Sequence, residues 1–239
     1  MTPALRDIWV YLAATPLLWL TATLLAYWAA FRIHERAGRA PLLNPVAMAV
    51  AALVFVLSVS GTPYETYFEG AQFVHFLLGP AIVALAVPLY AHRRIIAASL
   101  LPMAAALLAG SIVAVLSALA IAALLGASAE TLWSLAPKSV TAPVAMGIAE
   151  KLGGLPSLAA VLVIATGITG AMIATPLLNA LRIRDWRARG VGVGVAAHGI
   201  GTARAFQVNE LAGTFAGIAM GLNALLTAVL VPIVAALLR

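Results

Sequence analysis

The 239-residue chain is 64% hydrophobic and 9% charged, with a net charge of +6, far from soluble averages of roughly 45–50% apolar and about 25% charged. These proportions exclude a soluble globular domain and place the chain in a lipid bilayer, where arginines in short loops between apolar runs follow the positive-inside rule and do not mark a nucleic-acid surface. Cysteine is absent, which excludes disulfides, thiolate metal sites and thiol nucleophiles.

At about 20 residues per crossing, the length accommodates seven or eight helices and no separate soluble domain. One membrane domain over residues 1–239 is therefore expected. Ile8–Phe31 is a peripheral first span, retained because it is too long for a signal-peptide core, with Trp9, Tyr11, Trp19, Tyr27 and Trp28 placed as an aromatic belt. Arg32, His34, Glu35, Arg36 and Arg39 then form a basic loop on the cytoplasmic side. Leu42–Ser60 is a second span, leading to GTPYETYFEG outside. Phe73–Tyr90 is a third, interrupted at Gly79-Pro80 and at Pro88, returning to His92, Arg93 and Arg94 inside. Ile95–Leu125 is a fourth, leaving near Glu130 outside.

LAPKSVTAPVAM, Leu135–Met146, is a poor ordinary membrane helix. Pro137 and Pro143 lack amide protons and interrupt helical bonding, so freed carbonyls need water, side chains or a ligand. Lys138 adds a charge. After Leu155–Leu181 comes the most basic loop, RIRDWRAR, with Arg182, Arg184, Arg187 and Arg189. If residues 131–150 crossed the membrane, that loop would fall outside; a re-entrant segment keeps it inside. Gly190–Phe206 reads as a glycine-broken crossing or half-crossing, and Leu211–Leu238 as a last span ending inside with Arg239. The expected fold is thus an all-α polytopic membrane protein of about seven transmembrane helices plus one re-entrant segment. Residues 42–125 and 155–238 repeat the order apolar helix, broken helix, long helix from opposite sides, as inverted-topology transporter repeats do.

Lys138 at mid-membrane costs about 2.5–3.5 kcal/mol on insertion scales, so something compensates it. It meets an anionic substrate, helped by the hydroxyls of Ser139, Thr141 and Thr166, or it snorkels to the outer interface, or it pairs with Glu150 or Glu69. Gly79-Pro80 is either a packing kink or a break that offers backbone groups to a ligand. HGIGTAR supplies His198, Thr202 and Arg204. The arginine clamps a carboxylate or anchors the helix end, and the histidine relays protons or packs against a backbone carbonyl. Gly213, Gly217 and Gly221, four residues apart, form a helix-packing face. Gly192–Ala197 fits G-x-G-x-x-A but lacks a preceding strand and a suitably spaced acidic residue, so dinucleotide binding is not expected. His34, His75 and His92 share no metal-ligand spacing; His34 and His92 are assigned solvated surface roles. No metal, cofactor or hydrolytic motif is indicated, and the chain is not expected to be an enzyme.

Four runs in order, YETYFEGAQFVHFLLGPAIVALAVPLY, LAPKSVTAPVAM, GGLPSLAAVLVIATGITGA and AAHGIGTARAF, resemble the LrgB/CidB family of antiholin-like bacterial membrane proteins. The resemblance extends from Leu42 to the C-terminus. Gly79, Pro80, Lys138, Ser139, Thr141, Pro143, His198, Gly201 and Thr202 match the characteristic runs, and Arg204 keeps a charge that is commonly basic there. Ala136 and Gly147 depart from it in minor ways. The resemblance implies a small LrgA/CidA-type membrane partner, a link to murein hydrolase control and lysis, and, through relatives, transport of glycolate, glycerate or pyruvate.

Two functions are therefore expected to compete. One is a transporter or facilitator of small 2-oxo or 2-hydroxy monocarboxylates, with Lys138 and Arg204 as carboxylate partners. The other is a lysis regulator whose glycine face binds a partner or a second copy. Both place the chain in the bacterial inner membrane, with a small organic anion, lipid and the LrgA-type protein as partners and no nucleic acid.

Overall fold

A computed structural model describes residues 16–77, 80, 83–84 and 86–238. Residues 8–15 of the expected first span, Gly79 and Arg239 lie outside the described residues. Every described element is helical, and the chain divides into two compact units, Met1–Ala84 and Leu85–Arg239.

The first unit contains α1 (Pro16–Arg36), a 3-10 turn (Pro41–Leu43), α2 (Pro45–Ser60) and α3 (Tyr64–Phe76). The start of α2 follows from its sequence. Asn44 Oδ1 accepts from the amides of Val46 and Ala47 at 2.9 and 3.1 Å, and Pro45 occupies the first turn, where its missing amide costs nothing. Gly61 ends the helix at φ 65°, a left-handed conformation suited to glycine. Trp19 of α1 is buried against Tyr67 of α3, ring centroids 5.8 Å apart and edge to face.

Two expectations are corrected here. The loop GTPYETYFEG is helical from Tyr64 onward. His34 is no surface residue: it is buried in the last turn of α1, with Nδ1 2.9 Å from the carbonyl of Leu43, so it fastens the connection to α2.

The second unit begins with two short helices, α4 (Ala86–Ala91) and α5 (Arg93–Ala98). Three long ones follow: α6 (Leu100–Leu124), α9 (Pro156–Ala180) and α11 (Glu210–Leu238). With α1, these are the four described helices long and apolar enough to cross a membrane; α2 is apolar but shorter. At 1.5 Å per residue, 25 residues rise about 37 Å, enough for a hydrocarbon core of about 30 Å. Leu225, Val229, Ile233 and Leu237 of α11 recur every four residues and all point outward. Such an exposed apolar stripe inverts the pattern of a soluble helix and suits lipid.

Contacts along α6 and α11 advance together. Met103 and Leu107 pack with Phe215 and Ala219, Ser111 bonds Asn223, and Val115 and Leu119 pack with Val231 and Val234. These two helices are parallel. α9 runs the other way, because its first residues adjoin the elements packed on the ends of α6 and α11, while Ala174 and Leu178 pack near the start of α11.

Between the long helices lie two hairpins. α7 (Ala129–Leu135) and α8 (Ala142–Leu152) are joined by a non-helical turn containing Lys138, and the chain then returns beside its own beginning. Leu155 N–H donates to Ser134 Oγ at 2.8 Å, and a Cβ added to Gly154 would lie 2.7 Å from the Ser134 nitrogen. Residues 129–154 thus fold back on themselves.

The second hairpin is α10 (Trp186–Val208), which breaks at His198 with φ 39° and ψ −134°. Its second arm folds against its first. A Cβ on Gly201 would fall 2.5 Å from the Cβ of Ala197 and 2.9 Å from Cγ1 of Val193, eight residues back, which a straight helix would hold about 12 Å away. Gly190 abuts Ala212 and Phe206 abuts Gly213, so both ends of α10 flank the start of α11. Residues 190–206 thus turn back on themselves, so of the two expectations the full crossing is corrected. The correction propagates: Leu238 lies at the end where α6 finishes, not at the end of the basic loop as the sequence led us to expect. A glycine-rich run reads alike whether it crosses or returns; the strained His198 backbone decides, and no residue pattern announces it.

Candidate functional site

The two hairpins open to opposite ends of the second unit and their tips meet near its middle, where breaks in the helices leave carbonyls uncommitted. Asn223, at the midpoint of α11, touches both. Its Nδ2 donates to the carbonyl of Ser139 at 3.1 Å and to that of Val195 at 3.3 Å, and its Oδ1 lies 2.5 Å from Ser111 Oγ.

Beside these tips is a cavity of about 620 Å³, walled by α6, the first arm of α10 and the turn of the first hairpin. Lys138 and Ser139 supply its polar groups at the tip, and Ser99, Asp185 and Arg187 those at its other end; Met103, Val191, Val195 and Phe215 are among its apolar walls. Lys138 Nζ donates to Ser139 Oγ at 3.2 Å and forms no ion pair among the described residues. Of the alternatives left open, pairing with Glu150 is not what the structure contains: Glu150 is exposed on α8. At the far end Arg187 holds Asp185, Nη2 to Oδ2 at 2.6 Å, and reaches Ser99 Oγ at 3.4 Å. The Arg187 side chain and amide, both donating to this carboxylate, keep the Asp185 carboxyl below the usual carboxylate range.

His198 is buried at the other tip. Its Nε2 lies 2.8 Å from the carbonyl of Val163, and since a carbonyl only accepts, Nε2 carries a proton and donates. Packing against a backbone carbonyl is thus the arrangement observed. Thr202 Oγ1 donates to the His198 carbonyl at 2.8 Å, bracing the break. Thr141 caps α8 by position, without a side-chain cap bond.

Arg204 does not join Lys138. It is buried on the other side of the second hairpin, lining a separate space of about 20 Å³ with Arg189 and Trp186, and donates to Gln207 Oε1 at 3.2 Å. That volume is about one water molecule, so a shared Lys138–Arg204 carboxylate clamp is corrected. Pro80 belongs to the first unit and Gly79 lies outside the described residues. The glycine face is also divided: Gly213 meets Phe206 of the same chain, Gly217 is buried, and Gly221 is exposed with nothing near its missing Cβ.

A family model described as the LrgB-like family matches residues 23–237, which include both hairpins and the cavity. The chain belongs to the LrgB-like family. Among relatives, the uncharacterized protein YxaC of Bacillus subtilis is 36% identical over 89% of this chain and 92% of its own length. Holin-like protein CidB of Staphylococcus epidermidis is 31% identical over 93% and 96%, and that of Staphylococcus aureus 30% over 91% and 94%. No solved structure matches the chain.

In this LrgB-like protein the residues that reading the sequence missed are Asn223 and Ser111, together with Asp185, Arg187 and Ser99 at the cavity's end. Asn223 had a signal: a lone amide in the middle of a long apolar helix is costly in lipid and calls for partners. The cavity's direction is testable because the chain has no cysteine of its own. Gly192 lines the cavity with open space beyond its missing Cβ. Gly192→Cys is expected to react with a membrane-impermeant thiol reagent from the side of loop 182–187 and not from the other; equal labelling from both sides would contradict that opening.

Proposed function

We propose that this LrgB-like protein is a membrane transporter or facilitator of small monocarboxylates, with Lys138 as the group that meets the carboxylate. The observation that carries the reading is a lysine lining a large cavity with a neutral hydroxyl as its hydrogen-bond partner and no acidic side chain in ion-pairing distance among the described residues. A cation held among apolar helices is costly until an anion joins it. Apolar walls with few convergent polar groups suit a short carbon chain bearing one charge, and Ser139 is placed to meet an oxo or hydroxy substituent. The substrate class, 2-oxo and 2-hydroxy acids such as pyruvate, glycolate and glycerate, comes from the family resemblance.

In this reading residues 1–239 act as one domain in the bacterial inner membrane, with about six crossings once residues 190–206 are taken as a hairpin. The opposed hairpins bring their tips to a midplane site, as the broken helices of inverted-repeat transporters do. His198 and Thr202 hold the second tip, and no cofactor takes part.

A second reading is a holin-like regulator of murein hydrolase activity and lysis, acting with a small LrgA/CidA-type partner. It is favoured by the name holin-like protein CidB borne by the staphylococcal relatives, which supports it more directly than it supports transport. Reconstitution of the purified chain, with and without such a partner, against labelled monocarboxylates under a pH gradient separates the two. Saturable uptake is the expected result. Absence of flux in both preparations, together with altered murein hydrolase activity in expressing cells, would put the second reading in place of the first.

A further inference from the structure

Asn223 is 1% exposed, and both of its amide donors are engaged. Its two donors go to main-chain carbonyls, those of Ser139 at the first hairpin tip and Val195 just before the break in the second. Carbonyls only accept, so the amide nitrogen must face them, and the orientation of the side chain follows from its partners. Its oxygen faces Ser111 of α6 and Thr227, one turn further along α11. One side chain thus joins α6, α11 and both tips.

Its bond to the first tip falls on Ser139, whose hydroxyl receives Lys138 Nζ. The turn itself is held by few bonds of its own: Lys138 N–H to the Leu135 carbonyl at 3.0 Å and Val140 N–H to that of Pro137 at 3.2 Å. Neither reaches outside the hairpin; Val140 packs on Val163 and Ala224, and Asn223 supplies the hydrogen bonds that tie the turn to the second hairpin. We propose that Asn223 is a positioning residue, which sets the Lys138–Ser139 turn in the cavity by clasping the two tips; the proposal rests on reading that cavity as the anion site.

The side chain is specific to this task. Aspartate has the same shape but no donors and would face two carbonyls with a negative charge, whereas alanine leaves both carbonyls buried without a partner. Two lost bonds of ordinary strength correspond to about a tenfold effect or more on a bound state.

The test uses two readouts on the full chain. In a chain carrying Lys138→Cys, the rate of modification by a water-soluble thiol reagent reports the position of residue 138 whether or not the protein transports anything. Asn223→Asp and Asn223→Ala are expected to change that rate about tenfold, while Gly221→Ala, on the same helix but facing open space, leaves it within twofold. In the chain with Lys138 intact, Asn223→Asp is expected to raise the KM for pyruvate uptake about tenfold, more than it lowers the maximal rate. A structural role alone would instead reduce the amount of active protein and leave KM in place. Should Asn223→Asp not fold, judged by size-exclusion profile, Asn223→Ser keeps one donor and is expected to give an intermediate labelling rate. An unchanged labelling rate at position 138 in a folded Asn223 variant overturns the proposal. If Lys138→Ala transports normally, the reading of the cavity fails by itself, and the labelling rate still decides the role of Asn223.

Discussion

Uptake of small monocarboxylates is expected to fall at least tenfold in Lys138→Met, with the variant still folded and inserted. Methionine keeps the length and much of the apolar stem of lysine but cannot donate a hydrogen bond or carry charge. What is removed is a charge-assisted contact, worth about 1.5–3 kcal/mol for one hydrogen bond to a charged group and more in a site that excludes water, or roughly ten- to several-hundredfold. Stability should move in the other direction or hardly at all, because the half-buried lysine meets a neutral hydroxyl and no carboxylate among the described residues, so its loss relieves a desolvation penalty and breaks no ion pair. Proteoliposome uptake and a detergent melting curve measure the two effects separately. Unchanged uptake would remove Lys138 from the site. Lost uptake with a collapsed melting curve would reassign it to folding.

The second large effect is steric. Gly194 lies where the first arm of α10 presses on α11: an added Cβ would fall onto the Ala216 carbonyl oxygen and 2.9 Å from the Ala216 Cα. These are backbone atoms, which cannot swing aside as a side-chain end would. Gly194→Ala must therefore push the second hairpin off its seat, at a cost of about 1–3 kcal/mol. A drop of several degrees in the detergent melting temperature is expected, at about 2–4 °C per kcal/mol for a chain of this size, and uptake should fall as the tips separate. Gly221→Ala is the opposite case. Its Cβ meets nothing within 4 Å, and alanine is favoured over glycine in a helix by about 1 kcal/mol, so that variant should melt no lower than wild type. Equal melting temperatures for the two variants would contradict the close seat of α10 on α11.

The first hairpin was visible in the residues because two prolines and a lysine are each costly inside a membrane helix, and their coincidence over seven residues leaves few alternatives to a turn. The second was not. Its arms are rich in glycine, alanine and valine, which suit a packed crossing and a packed return equally well, and the reversal rests on one histidine whose backbone angle no pattern signals. That omission carried over into the direction of α11, because reading one hairpin where there are two inverts everything that follows.

The position of Arg204 was misread for a related reason: proximity in sequence to His198 and Thr202 suggested one site, but past the break the second arm turns its arginine to the other side of the hairpin. The sequence by itself determined that this is a helical membrane protein, that Lys138 lies in a break, and which family the chain resembles, since hydropathy, proline and charge act locally. Only the tertiary structure decided that two breaks face each other, that Asn223 joins them, and that the cavity's second polar cluster is Asp185 and Arg187. Those are pairings between residues far apart in the chain, set by the packing of small residues on α10 against α11. The lysine and its cavity lie where both hairpins meet the same asparagine.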